Sequence, residues 1–240
     1  MKVDLRFGSC FDVLKNVRAD IAFCDLPYGT TYAAWDKVFP LHHFWELMQQ
    51  IVRPDGAIIC TAQQPFTSLL VTSALNLFRC EWIWDKVNGT NFANAKRYPL
   101  KTHESVLVFS YQPSPRYFPI KTLGVANHTQ GSKLGANKSA TRLIERRVAD
   151  DLSGLKYPKT IQVFPKHSSQ CGLHPTQKPI TLIDYFIRTY SAEGDLVVDP
   201  TMGSGSTGVA ALAAGRRFVG AEQDEAYFQV AQTRLLGGNA

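Results

Sequence analysis

Asp195-Leu-Val-Val-Asp199-Pro-Thr-Met-Gly-Ser-Gly-Ser-Thr-Gly208 reads as a short apolar strand, a glycine turn and the start of a helix. Glycines in such a turn let a ligand come against backbone where a Cβ would clash. The helix start leaves N–H groups unpaired and carries the positive end of the helix dipole. Asp199 stands at the carboxyl end of the strand, the end at which open α/β sheets bind ligands. The next strand runs into Glu222, 23 residues after Asp199. A carboxylate there offers two acceptor oxygens to two vicinal ribose hydroxyls. Strand, turn, helix and acid together point to a nucleoside-containing cofactor. The plainer alternatives are a helix cap at Asp199 and an exposed strand-end charge at Glu222.

The same alternation runs outward from this turn. Short β-rich apolar runs fall at 3–7, 21–24, 57–60, 81–84 and 105–110, with helical spacing at 41–52 and 65–76. Phe44, Leu47, Met48 and Ile51 form a helical stripe that reads as core. Beyond residue 173 come a helix at 180–190, the strand at 196–199, a helix to 214, a strand at 217–221 and a last helix. Strands alternating with helices predict an α/β fold with a doubly wound, mostly parallel sheet. Residues 1–111 and 173–240 then form two halves of one domain. Residues 112–172 form an insertion, rich in Gly, Ser, Asn and Pro, in which only 160–164 reads as a strand.

Net charge is +6, and its distribution says more than its sum. Ten Lys and Arg and three acids lie within 112–172, so that block is +7 and the rest of the chain −1. A positive block on a near-neutral body suggests a polyanionic partner; a solvated loop is the alternative. An apolar fraction of 45% suffices for a core. No apolar stretch of about 18 residues occurs, which excludes a spanning helix and any membrane role of that kind. The start of the chain shows no signal-like run. Five cysteines without a C-x-x-C pair, three of them in apolar runs, read as reduced thiols. A cytoplasmic location and no metal site are expected.

A second strand end carries Asp25-Leu-Pro-Tyr28-Gly29. Pro27 fixes its own φ and biases Leu26 toward extended backbone. Carboxylate, outward carbonyls and aromatic ring suit an amino group beside a flat ring. Asp25 and a backbone carbonyl can accept both amino hydrogens, and Tyr28 can stack. Drawing the hydrogens toward acceptors favours a pyramidal nitrogen whose lone pair is free to attack. An ordinary strand-to-loop turn has the same composition.

With these two motifs the chain resembles the amino-group DNA methyltransferases of the β arrangement, in which the catalytic motif precedes the cofactor motif. Asp25-Leu-Pro-Tyr28 is similar to that family's Asp-Pro-Pro-Tyr, and Asp199-Pro-Thr-Met-Gly-Ser-Gly-Ser-Thr207 to its cofactor loop. His174-Pro-Thr-Gln-Lys-Pro179 is similar to the motif just upstream of that loop and is the most specific of the three. Trp84-Asp-Lys86 and the stretch from Arg97 to Glu104 resemble further landmarks, and the spacing is similar to phage and prophage members. The resemblance covers all but roughly 112–172.

The resemblance implies a fold of the S-adenosylmethionine-dependent methyltransferase type and a methyl transfer to adenine N6 of a flipped-out base in double-stranded DNA. It implies a catalytic role for Asp25, Leu26, Pro27 and Tyr28. It implies that the cofactor lies on Asp199, Pro200, Thr201, Gly203, Ser204, Gly205, Ser206 and Thr207, with Glu222 on its ribose. Lys178 would meet the cofactor carboxylate or cap a loop. The 112–172 insertion would read the DNA. A homodimer and a restriction endonuclease partner stay open. Two positions depart from the pattern. Leu26 replaces the usual first proline, keeping the carbonyl but losing rigidity. Gly8-Ser9 stands where Gly-Asp is common, so Ser9, Asp12 or water would meet the cofactor adenine.

Rival readings are a cytosine-N4 methyltransferase, an RNA or protein-glutamine methyltransferase, a DNA-binding relative with an impaired site, and a nucleotide-dependent oxidoreductase. Asp rather than Ser at position 25 leans toward adenine. Motif order and the basic insertion argue against RNA and protein substrates. The oxidoreductase would need no Asp-Leu-Pro-Tyr site.

Overall fold

The computed structural model describes residues 2–29, 39–124, 154–165 and 177–237. In chain order the elements are β1 (Val3–Phe7), α1 (Cys10–Val13), β2 (Ile21–Cys24), α2 (Leu41–Ile51), β3 (Ile58–Ala62), α3 (Phe66–Ser73), β4 (Phe78–Thr90), β5 (Lys101–Phe109), β6 (Thr122–Leu123), β7 (Leu155–Lys156), β8 (Ile161–Val163), α4 (Ile180–Tyr190), β9 (Leu196–Asp199), α5 (Ser206–Ala213), β10 (Arg217–Glu222) and α6 (Glu225–Leu236). They fall into two compact units, residues 1–118 with 160–240, and residues 119–159.

The larger unit is built on one sheet of eight strands in the order β1-β10-β9-β2-β3-β5-β4-β8. From β1 to β3 the neighbours are parallel. β5 is antiparallel to both β3 and β4, and β8 is parallel to β4. The chain leaves β9 through α5 toward β10 on one side. It leaves β2 through α2 toward β3 on the other. The order therefore reverses between β9 and β2, the place where such sheets open a ligand crevice. This pairing sets Ala22 opposite Val198, so Asp25 and Asp199 rise from adjoining strand ends.

Both faces of the sheet are covered, which is why its strands read as continuous apolar runs. In β2, Ala22 and Cys24 pack with the predicted stripe of α2 and with Phe66 and Leu70 of α3. Ile21 and Phe23 point the other way, onto Leu182, Ile183 and Phe186 of α4 and Ala210 and Ala211 of α5.

The predicted strand near 160–164 forms, but not inside an insertion. As β8 it adds to the main sheet, with Ile83 opposite Ile161, and the Phe164 carbonyl accepts from the Trp84 indole at 2.7 Å. Arg116, counted with the basic block, pairs with Asp195 at 2.8 Å in the larger unit. The separate unit is thus narrower than 112–172. In its described part β6 and β7 pair antiparallel, and Lys121 lies 4.4 Å from the centre of the Tyr157 ring. Among the described residues no helix is long and apolar enough to cross a membrane.

Candidate active site

Asp25 follows β2 and is surrounded from three directions. The Thr61 hydroxyl, at the end of neighbouring β3, donates to its Oδ1 at 2.5 Å. The Tyr28 hydroxyl lies 3.2 Å from the same oxygen. Lys178, just before α4, places its ammonium 2.8 Å from both Oδ1 and Oδ2. The Tyr28 ring is stacked on Phe66, with centroids 5.1 Å apart and planes at 22°. Burial raises the Tyr28 hydroxyl above its ordinary value, keeping it a neutral donor.

Lys178 is buried, and behind it stands a second carboxylate. Glu104 Oε2 is 3.6 Å from its ammonium, and Glu104 Oε1 is 3.3 Å from the ammonium of Lys86, itself 2% exposed. Burial alone would lower the Lys178 pKa, but Asp25, Tyr28 and Glu104 outweigh it and hold the value raised. The result is an alternating chain of charges, Lys86–Glu104–Lys178–Asp25. Lys178 was expected at the cofactor carboxylate or as a loop cap; here it sits on Asp25 instead. A charge this deep needs a partner, and Asp25 and Glu104 are the carboxylates within reach.

Leu26 is 2% exposed and belongs to the core between the sheet and α2. Packing there restrains the side chain that stands in place of the usual proline ring. Thr201 ties the two strand ends together, donating from its hydroxyl to the Asp25 carbonyl at 3.2 Å.

The glycine loop divides by role. Gly203 (φ +51°) has no atom within 4 Å of where a Cβ would sit, so it faces open space, and its N–H donates to Glu222 Oε2 at 2.9 Å. Gly205 (φ +80°) has no such room, since a Cβ would meet Leu235 at 2.9 Å. Ser204 and Ser206 were expected to face the cofactor. Their hydroxyls instead lie 3.5 and 3.2 Å from the Arg234 guanidinium, which also donates to the Ser204 carbonyl at 3.1 Å. They clamp the loop to α6. Thr207 hydrogen-bonds Asp199. Pro200 sits in the buried turn after β9.

Asp199 is 2% exposed. Burial raises its carboxyl to about 7, against the opposing pull of the Thr207 hydroxyl and the Thr201 N–H, while Asp25 and Glu222 raise it further. Glu222 is also raised, mainly by burial. Its Oε1 accepts from the Asp224 N–H at 2.8 Å and its Oε2 from Gly203. Each oxygen keeps a further lone pair. Ser9 follows β1, whose Phe7 pairs with Glu222, and Gly8 N–H donates to the Glu222 carbonyl at 2.9 Å. Asp12, the other candidate for that contact, is exposed and lies 3.4 Å from Lys15. His174 to Thr176 lie outside the described residues.

An eight-stranded switch-point sheet with these two adjoining strand ends is the S-adenosylmethionine-dependent methyltransferase fold. The chain belongs to the DNA methylase family, whose model matches residues 19–233. It is 45% identical to DNA adenine methyltransferase YhdJ of Escherichia coli K12 over 249 residues, covering 95% of this chain and 81% of that protein. It is 46% identical over 68 residues to Type II methyltransferase M2.DpnII of Streptococcus pneumoniae, a match spanning 28% of this chain and 25% of that protein. The crystal structure of an M1.HpyAVI–SAM complex superposes with a TM-score of 0.69 at 22% identity, covering 98% of this chain and 99% of that one. That likeness is one of fold.

Proposed function

We propose that the protein methylates the N6 amino group of adenine in double-stranded DNA, using S-adenosylmethionine and acting on a base swung out of the duplex. The observation that carries this is the half-buried Asp25, held by buried Thr61 and Lys178, beside the Gly203–Glu222 cradle on adjoining strands. The relatives' names support DNA and adenine as substrate. The reading makes this a cytoplasmic enzyme. It accommodates a homodimer and, given relatives named Type II methyltransferases, a restriction endonuclease partner. Residues 112–172 remain its proposed target-recognition region. Transfer of tritium from labelled cofactor to unmethylated duplex DNA, and not to RNA of the same sequence, tests it.

The residues fit the cofactor. Gly203 leaves room for a ligand against the backbone, Glu222 keeps lone pairs for two ribose hydroxyls, and Asp199 is a buried carboxyl whose surroundings are the Thr207 hydroxyl, the Thr201 N–H and the carboxylates of Asp25 and Glu222. When bound, S-adenosylmethionine supplies an electrophilic methyl on a sulfonium, whose sulfur leaves as a neutral thioether and needs no acid catalyst. Asp25 and the Leu26 carbonyl accept the two amino hydrogens and turn the nitrogen lone pair toward the glycine loop. Tyr28, backed by Phe66, holds the ring. As the nitrogen gains positive charge, Asp25 stabilises it, and the extra amino proton is then lost by way of this half-exposed carboxylate to solvent. Lys178 covers both Asp25 oxygens in the free protein. An arriving amine therefore takes the place of the ammonium on one of them, and Glu104 stands ready to hold it.

Lys178→Ala should lower kcat at least about tenfold while leaving cofactor Kd within about twofold. Calorimetry and steady-state rates measure the two; a large loss of cofactor affinity with normal kcat would return Lys178 to the cofactor carboxylate.

Asp199 gives a pH signature. Its folded value is raised, so folding takes up a proton between the ordinary carboxyl range and about 7. This group's contribution to stability falls as pH rises across that window and is level above it. A bound cation beside Asp199 lowers the value again, so cofactor binding should release protons near about pH 6 and none near about pH 8.5. Calorimetry in buffers of different ionisation enthalpy reads this directly. Buffer-independent heats at the lower pH would remove Asp199 from the cationic part of the site.

A further inference from the structure

β4 and β5 continue well past the sheet. β3 ends at Ala62, opposite Ser105 of β5. Beyond that pair, Asp85 lies opposite His103 and Thr90 opposite Lys101. The hairpin therefore projects from the carboxyl ends of the parallel strands, where Asp25 stands. Its base is joined to the site. Glu104 reaches Lys178, and Lys101 donates to Gln63, two residues beyond Thr61, at 3.3 Å.

The tip is built unlike a solvent loop. Residues 92–103 are exposed throughout, and among them Phe92 is 69% and Tyr98 65% exposed. Single exposed aromatics are ordinary, but two on one arm at the rim of a site mark a binding surface. Between 87 and 102 there are three cations, Lys96, Arg97 and Lys101, and no acid. Val87 has φ +67°, a left-handed conformation disfavoured for a β-branched residue. Its N–H donates to Asp85 Oδ1 at 2.8 Å, so the bend is held in place. Strain of this kind collects where a segment has to be aimed.

We propose that this hairpin is a second DNA-contacting arm, apart from the basic insertion. The inference rests on the methyltransferase reading. Lys96 and Arg97 meet phosphates flanking the target nucleotide, which gives affinity without sequence preference. Phe92 and Tyr98 stack on the bases left exposed when the target leaves the duplex, offsetting part of the cost of flipping it.

The full-length chain is titrated with a labelled random-sequence duplex over a series of salt concentrations, and its methylation of unmethylated plasmid DNA is followed with tritiated cofactor. Lys96→Ala with Arg97→Ala should reduce the slope of log affinity against log salt by about 2. Phe92→Ala with Tyr98→Ala should leave that slope unchanged and raise the KM for plasmid DNA at least about tenfold. Phe92→Tyr in place of Phe92→Ala should restore most of the KM, whereas Phe92→Leu, apolar but without a ring to stack, should not. Cofactor affinity should be the same in every variant, since all these side chains are exposed. An unchanged slope and an unchanged KM, in variants of a chain that itself methylates the plasmid, would overturn the arm and spare the functional reading. A parent chain that neither binds nor methylates DNA would end both.

Discussion

Asp25→Ala should lower kcat for methyl transfer by about a thousandfold while leaving cofactor affinity within about threefold. The reason is positional. Asp25 follows β2 and the glycine loop follows β9, so removing this carboxylate leaves Gly203 and Glu222 untouched. The amine loses the acceptor that orients it and that stabilises its growing charge. Lys178 also loses its nearer partner but keeps Glu104 at 3.6 Å, so the fold should survive the change. Asp25→Asn is the sharper variant. It retains one acceptor oxygen but no counter-charge, and it should recover only a small part of the rate. Single-turnover kinetics with cofactor and DNA both saturating measures the step. A normal single-turnover rate in Asp25→Ala would remove Asp25 from catalysis.

Glu222→Ala should produce the opposite pattern. Cofactor Kd should rise about a hundredfold, the worth of two hydrogen bonds to a charged acceptor. At saturating cofactor, kcat should stay within about threefold. Part of the loss comes from the protein itself, because Glu222 also accepts from the N–H groups of Gly203 and Asp224 and so shapes the loop. Glu222→Gln keeps one carbonyl acceptor and should fall between. Unchanged Kd in Glu222→Ala would mean that the ribose is held elsewhere.

How far the site could be read from sequence depended on covalent proximity. Asp25 to Tyr28 and Asp199 to Thr207 are contiguous runs at strand ends, and their local chemistry is visible in the letters. Thr61 carried no family signal, and Lys86 and Glu104 stood only as landmarks of the resemblance without a role, because the three come from three other strands and only the sheet order brings them to Asp25. Thr61 carried one usable signal: it lies at the carboxyl end of a strand next to that of Asp25. For Ser204 and Ser206 the letters leave the direction of the side chain open. A serine in a glycine turn looks the same whether it faces a ligand or, as here, an arginine from α6. Lys178 was placed in the right neighbourhood, but its long side chain left its partner open. Leu26 looked like a loss of rigidity until its burial was seen. The strand at β8 was legible, but its pairing with β4 was not, because three residues of β pattern in a polar, basic segment name no partner.

We propose that the amine held at Asp25 is the N6 of adenine in DNA. The direct test incubates the protein with tritiated S-adenosylmethionine and unmethylated duplex DNA, digests the product and identifies the labelled nucleoside. Label is expected in N6-methyldeoxyadenosine. Label in N4-methyldeoxycytidine would keep the geometry and overturn the base, and no label from a chain that binds the cofactor would contradict the claim outright.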